Sequence, residues 1–403
     1  MKRRHVFPGI GLVLAVSLLS AQEVPWVLVT NGAEWTARAG HATVIFDGRL
    51  WLLAGDTPSG LFNDVWSTGN GADWEEALDE AEWTPRTRLA AAEIAGEMWL
   101  LGGADDSGPL NDVWHSANGG IWAQAASAAW SPRSGHAALR RDSAIWVMGG
   151  EDSTGPRNDV WRSEDGTSWT LVDPAAEWPA RTGHAALVYD DKLWVLGGRD
   201  SSQYFADAWY STDGTDWMPA GAAPWWTPRW GARCVEFEGE MWLLGGMDDS
   251  VGFAQDAWSS TDGALWQLRD PRSDWSPRRE FGLAVFASRM WLFGGEDVTG
   301  FQDDIWNTAS GATAEERPRQ APGVRLVVEP NPAAGRAPVA RLSVGRPGRV
   351  AVSVFDGLGR RLVRRELTAS GETEVRLPGL AAGVYVVRLE AASGRVTCRF
   401  VVR

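Results

Sequence analysis

The tightest constraint on this chain is a repeat. A motif of the W-[TS]-P-R type recurs at Trp35, Trp83, Trp130, Trp178, Trp226 and Trp275, spaced 48, 47, 48, 48 and 49 residues apart. Self-similarity at a fixed period of this size means one supersecondary unit copied and packed against itself. Each unit reads like "AWSPRSGHAALRRDSAIWVMGGEDSTGPRNDVWRSEDGTSW". It holds four short runs of strand composition, divided by turn residues. In that unit the first run follows "PRSGH", the second is "IWVMGG", the third is "NDVWRS" and the fourth begins at Trp169. The Asp-Gly pair between the third and fourth predicts a two-residue type I′ turn. Four antiparallel strands in a unit of ~40–50 residues make a propeller blade, so six units predict an all-β, six-bladed ring.

The stretch "PWVLVTNGAEW", residues 25–35, supplies one further strand ahead of the first unit. A fourth-strand Trp stands eight residues past the "DVW"-type Trp at Trp74, Trp122, Trp169, Trp217 and Trp266, but unit six reaches Trp306 and then has none. Trp26 precedes Trp35 by nine residues, just as Trp169 precedes Trp178. The N-terminal strand is therefore expected to be the fourth strand of blade six, closing the ring and hiding an edge. Four Trp columns of six then take 24 of the 26 tryptophans, leaving Trp225 and Trp230 outside.

Charge divides the chain. Residues 22–320 hold 46 acidic and 21 basic side chains, while residues 321–403 hold 6 and 14. An acidic body argues against nucleic acid or an anionic membrane surface as the main partner. The start, "MKRRHVFPGIGLVLAVSLLSAQ", has a basic n-region, an apolar run too short to span and small residues before Gln22, so residues 1–21 are expected to be a signal peptide. The expected order continues with a propeller over 22–310, a linker over 311–321 and a small β-sandwich over 322–403. Alternation through "VAVSVFD", "VYVVRLEA" and "VTCRFVVR" carries the last of these. Cys234 and Cys398 fall in different domains and are expected to be buried, unpaired thiols.

The repeat resembles the Kelch motif: four apolar residues, a Gly pair and two spaced aromatics. Its pairs are Gly102–Gly103, Gly149–Gly150, Gly197–Gly198, Gly245–Gly246 and Gly294–Gly295, with Ala54–Gly55 in the first unit. Segments such as "SEDGTSW" resemble a shortened sialidase Asp-box, which in those families is a fold element. Residues 322–403 resemble the type A sorting domain of the bacterial type IX secretion system, through "VEPNPAAG", "VSVFDGLGRRL", "GLAAGVYVVRL" and the terminal "RFVVR". That resemblance implies type IX machinery as a partner, with release or attachment at the outer-membrane surface after passage through the periplasm.

Several columns recur in every unit. Arg38, Arg86, Arg133, Arg181, Arg229 and Arg278, with Asp64, Asp112, Asp159, Asp207, Asp256 and Asp304, are expected to form repeated Arg–carboxylate pairs that build the ring rather than an anion site. A second column, Asp56, Asp105, Asp152, Asp200, Asp248 and Asp297, is expected to make Asx-turns. His41, His136 and His184 share one position and are expected to be satisfied core or channel residues. No metal or cofactor is expected. With only four tyrosines and no Tyr beside Cys234, the copper chemistry of galactose oxidase, a Kelch-type enzyme, is not expected either.

A specific site should instead use residues that break the repeat. Two residues past the repeated Arg the rule is Gly (Gly40, Gly135, Gly183, Gly231), but Arg88 and Glu280 stand there in blades two and six. With Trp225, Trp230, Arg233 and Arg279 they form the candidate ligand site. The expected function is a monomeric, secreted or surface-attached module that binds extracellular glycan or protein. The alternatives are a sugar enzyme of the mutarotase kind and a purely structural envelope protein.

Overall fold

The computed structural model describes residues 25–221, 226–248, 252–308, 324–329, 339–355, 361–376, 383–391 and 394–402. The chain divides into two compact units, Met1–Ala309 and Ser310–Arg403. The described residues of the first form six four-stranded antiparallel sheets, with three short two-stranded ribbons beside them. Within each blade the strands run in sequence order from the inside outward, as an up-and-down propeller requires.

The sixth sheet is the exception, and it is the one expected. Its order is Gly282–Phe286, Arg289–Phe293, Ile305–Thr308 and then Trp26–Thr30, which runs antiparallel with Trp26 opposite Thr308 and Leu28 opposite Trp306. In five blades the motif Trp meets the fourth-strand Trp edge-on, as Trp178 meets Trp217 at 5.8 Å and 82°. Trp275 meets Trp26 in the same way, at 6.2 Å and 84°. The N-terminal strand thus rebuilds both the ladder and the aromatic contact.

The repeated Arg and Asp pair within each blade. Nη1 to Oδ1 is 2.5–2.7 Å and Nη2 to Oδ2 is 2.7–3.0 Å in all six. Nη1 also donates to the carbonyl of the first residue of the Gly pair, and Nε to the carbonyl two residues back. The third-strand Trp donates its indole N–H to the same carboxylate, as Trp66 does to Asp64 at 2.7 Å. Each guanidinium ties three parts of one blade together. Arg38 and Asp64 make the most buried pair, so Arg38→Ala is expected to cost about 3–5 kcal/mol, because it leaves a carboxylate buried without its counter-ion. Arg38→Met with Asp64→Leu should recover much of that loss. Thermal unfolding followed by Trp fluorescence tests both, since every Trp lies in the first unit.

Three local expectations need correction. The connection between third and fourth strands is not a two-residue type I′ turn. In blade three the strands end at Ser163 and resume at Thr170, and only Gly166 takes positive φ. The Asp165 carboxylate organises the loop instead, accepting the amides of Thr167 and Ser168. Gly166 is required because a Cβ there would lie 2.3 Å from the ring of Trp99 in the preceding blade. Next, Asp56 does not belong with the Asx-turn aspartates. Asp105, Asp152, Asp200 and Asp297 do accept the amide two residues on. In blade one Thr57 does this through Oγ1 to the Ser59 amide, and Asp56 stands one residue earlier, in register with Ala104. Finally, His41, His136 and His184 are buried but not satisfied. Among the described residues the ring nitrogens of His41 and His184 have no hydrogen-bond partner, and His136 has only the Leu101 carbonyl nearby. Each packs beside the motif Trp of its own blade, and Cε1 of His184 approaches so close to Gly149 that a Cβ there would lie at 2.9 Å.

Cys234 is free and half-buried, and burial pushes its thiol well up; the Cys398 side chain lies outside the described residues. In the second unit five strands form one antiparallel sheet. The long strand Val339–Phe355 pairs by its first half with Val324–Glu329 and by its second with Gly383–Ala391, while Arg361–Arg376 pairs along both halves. Gly394–Val402 completes the sheet and also lies beside Val324–Glu329, so the sheet curls back on itself. Residues 350–354 are buried on both faces rather than on alternate ones.

Candidate functional site

The six residues two past the repeated Arg form a ring around the propeller axis. The amide of each donates to the carbonyl of its counterpart in the preceding blade: Gly40 to Glu280, Arg88 to Gly40, Gly135 to Arg88, Gly183 to Gly135, Gly231 to Gly183 and Glu280 to Gly231, at 2.7–2.9 Å. All six have φ between 52° and 66°. That geometry favours Gly, and a residue with a Cβ costs roughly 1–2 kcal/mol there. A steric rule decides which blades depart from Gly. The residue preceding each ring member lies over the ring member one blade back, so a Cβ at Gly40 would meet Thr87, at Gly135 Thr182, at Gly183 Trp230 and at Gly231 Arg279. The residues that follow Arg88 and Glu280 around the ring in this sense are small, Ser134 and Ala39. Side chains stand only where the next blade leaves room.

The two side chains join across blade one, with Arg88 Nε 2.8 Å from Glu280 Oε1. Beside them lies Trp230, which is only 4% exposed, so its indole is a floor and not an open platform. Three guanidiniums lie over it: Arg279 at 4.6 Å, Arg199 at 4.7 Å and Arg88 at 5.3 Å from the ring centroid. Cation–π contacts of this kind hold the arginines in place. Arg279 is also bound through Nε and Nη2 to Glu296 Oε2.

A second circle surrounds the ring, made by the residues that follow the Gly pairs: Asp56, Ala104, Glu151, Arg199, Met247 and Glu296. Each bridges to the residue before the ring position, such as Thr182 to Arg199 and Trp230 to Met247. Burial holds the Asp56 carboxyl above its ordinary range, and the neighbouring Glu280 and Glu296 add to this. The circle thus carries carboxylates over blades six, one and three (Glu296, Asp56 and Glu151) and a single guanidinium, Arg199, over blade four.

Of the candidate residues, Arg88, Trp230, Arg279 and Glu280 meet at this mouth. Arg233 makes no ion pair with them: it is part-buried, with Nε on the Phe281 carbonyl at 2.9 Å, though the Glu280 charge acts on it. Trp225 lies outside the described residues. Arg199 and Asp56 were missed by sequence reasoning. The signal was present, since the column after the Gly pair carries six residues of five kinds, where the flanking columns are nearly constant.

Comparison with family models gives two matches: a Kelch motif at residues 180–210 and a secretion system C-terminal sorting domain at residues 328–403. The chain carries a Kelch motif and a type IX secretion sorting domain. The Kelch match spans blade four from Ala180 to Tyr210 and so includes Gly183 and Arg199. The sorting match covers most of the second unit and implies interaction with the type IX secretion machinery and delivery outside the cell or to its surface. No curated protein is matched by the chain.

Proposed function

We propose that this Kelch propeller is a binding module for an extracellular glycan, with its ligand site at the axial mouth. The observation that carries this reading is the convergence of residues that break the sixfold repeat. Arg88, Glu280, Trp230, Arg279 and Arg199 gather in one place although they come from blades two, four, five and six. Residues needed for the ring recur in every blade; these do not. Arg88 and Glu280 also sit at backbone positions that favour Gly, a local cost that suits a functional site.

The same feature gives a safe test. Replacing Arg88 and Glu280 together by Gly restores what four blades already have, so the fold should hold. Binding to glycans selected from an array should fall by about tenfold or more, the loss of roughly one charge-assisted hydrogen bond. Unchanged binding by a normally melting Arg88→Gly, Glu280→Gly variant would remove the mouth from consideration. Turnover of any bound sugar would recast the module as an enzyme of the mutarotase kind.

Export completes the reading. Residues 1–21 act as a signal peptide and residues 322–403 as the type IX address. Removing 322–403 should leave the propeller in the periplasm, as cell fractionation would show; surface delivery without them would overturn this assignment.

A further inference from the structure

We infer that the mouth selects a sugar acid, binding its carboxylate on Arg199 and its hydroxyls on the acidic side of the ring. This rests on the reading of the mouth as the ligand site and adds the chemical class of the ligand. The propeller region holds more than twice as many acidic as basic side chains, and its described arginines are mostly bound. Arg88 has Glu280, Arg279 has Glu296, and the six repeated arginines have their aspartates. Arg199 has none. Its guanidinium rests on Trp230 and makes no ion pair with any described residue, and its Nε is buried without an acceptor.

A buried donor left without an acceptor is costly, roughly 1–3 kcal/mol and more for a charged group. The acceptor that fits a guanidinium fork is a carboxylate, which takes two parallel N–H···O bonds. Across the mouth, Arg279 uses only Oε2 of Glu296, which leaves Oε1 to accept from a ligand hydroxyl. Asp56 stands on the same side. A ligand with one carboxylate and several hydroxyls answers both halves of this arrangement. A polyanionic peptide would place further charges against Asp56, Glu280 and Glu296.

The test compares tri-galacturonate with its methyl ester by calorimetry on the full chain. The acid is expected to bind about tenfold or more tightly than the ester, as one charged hydrogen-bonded pair requires. Arg199→Gln should bring the acid down to the ester's affinity, and Arg199→Lys should fall between. Equal binding of acid and ester, or an Arg199→Gln variant that binds like the parent, would overturn the inference. Under either outcome, loss of ester binding in Arg88→Gly, Glu280→Gly would still support the mouth as the site. A poly-glutamate peptide bound as tightly, with the same dependence on Arg199, would replace the sugar acid by an acidic peptide.

Discussion

A chain lacking Trp26–Thr30 is expected to melt more than about 10 °C below the intact protein and to aggregate as it unfolds. Most of the strand buries little apolar surface, because Val27 and Leu28 are 46% and 44% exposed; what it buries is Trp26, at 5%. Removing a buried Trp costs about 3–5 kcal/mol, and at roughly 2–4 °C per kcal/mol that alone gives a shift of this size. Deletion also uncovers Ile305–Thr308 as a new sheet edge, a template for pairing with other chains. Single substitutions separate the two effects. Trp26→Ala should reproduce most of the loss by removing the edge contact with Trp275, while Val27→Ser should shift the melt by only a degree or two. Trp fluorescence follows the propeller alone, since the sorting unit contains no Trp. A shortened chain that melts like the parent would refute the closure.

The reach of the sequence differs between the ring and its mouth, for a physical reason. The ring depends on contacts made six times, and repetition makes them legible. The spacing of Trp26 from Trp35 was enough to place the closing strand, and the recurrence of Arg with Asp was enough to suggest their pairing. The mouth depends on single departures from the repeat. Arg88 and Glu280 stand out against Gly, but that they meet follows from the small size of Ala39 and Ser134, which only the ring of hydrogen bonds makes visible. Asp56 was misplaced because it follows its Gly directly, where the other aspartates stand one residue further on; counted from the Gly, Thr57 holds their column, and the strand pairing agrees. Trp230 stood out as a tryptophan outside the columns, but a sequence does not tell which faces of an indole are already covered. The unpartnered histidines were equally invisible: composition places His in a core, but not its hydrogen bonds.

Those histidines yield the second large expected effect, a steep loss of stability in mild acid. Burial drives the pKa of His136 and His184 down to about 3 and holds His41 well below 6.5. Nearby guanidiniums act in the same direction: Arg133 on His136, Arg181 and Arg233 on His184, Arg38 and Arg233 on His41. Asp159 and the Leu101 carbonyl oppose this at His136. In the unfolded chain each His titrates near its ordinary 6.5. Between pH 6.5 and about 3 the unfolded state therefore binds more protons, and folding weakens as pH falls through that window. At pH 5 His136 and His184 each cost about 2 kcal/mol, about 4 together, and His41 acts in the same direction, against a usual total stability of roughly 5–15 kcal/mol. The lowered carboxyls of Asp112 and Asp159 add to the loss only further down, as pH falls below their ordinary values. The melting temperature is thus expected to drop sharply between pH 7 and pH 5. The repeat supplies its own control, because blade six carries Phe281 at the same position, packed on Trp275 as the histidines pack on theirs. A variant with His41, His136 and His184 all changed to Phe should lose most of the pH dependence in this window while keeping the fold. A parent protein whose melting temperature stays flat from pH 7 to 5 would show that the imidazoles find proton acceptors on folding, and the buried, neutral column would have to be abandoned.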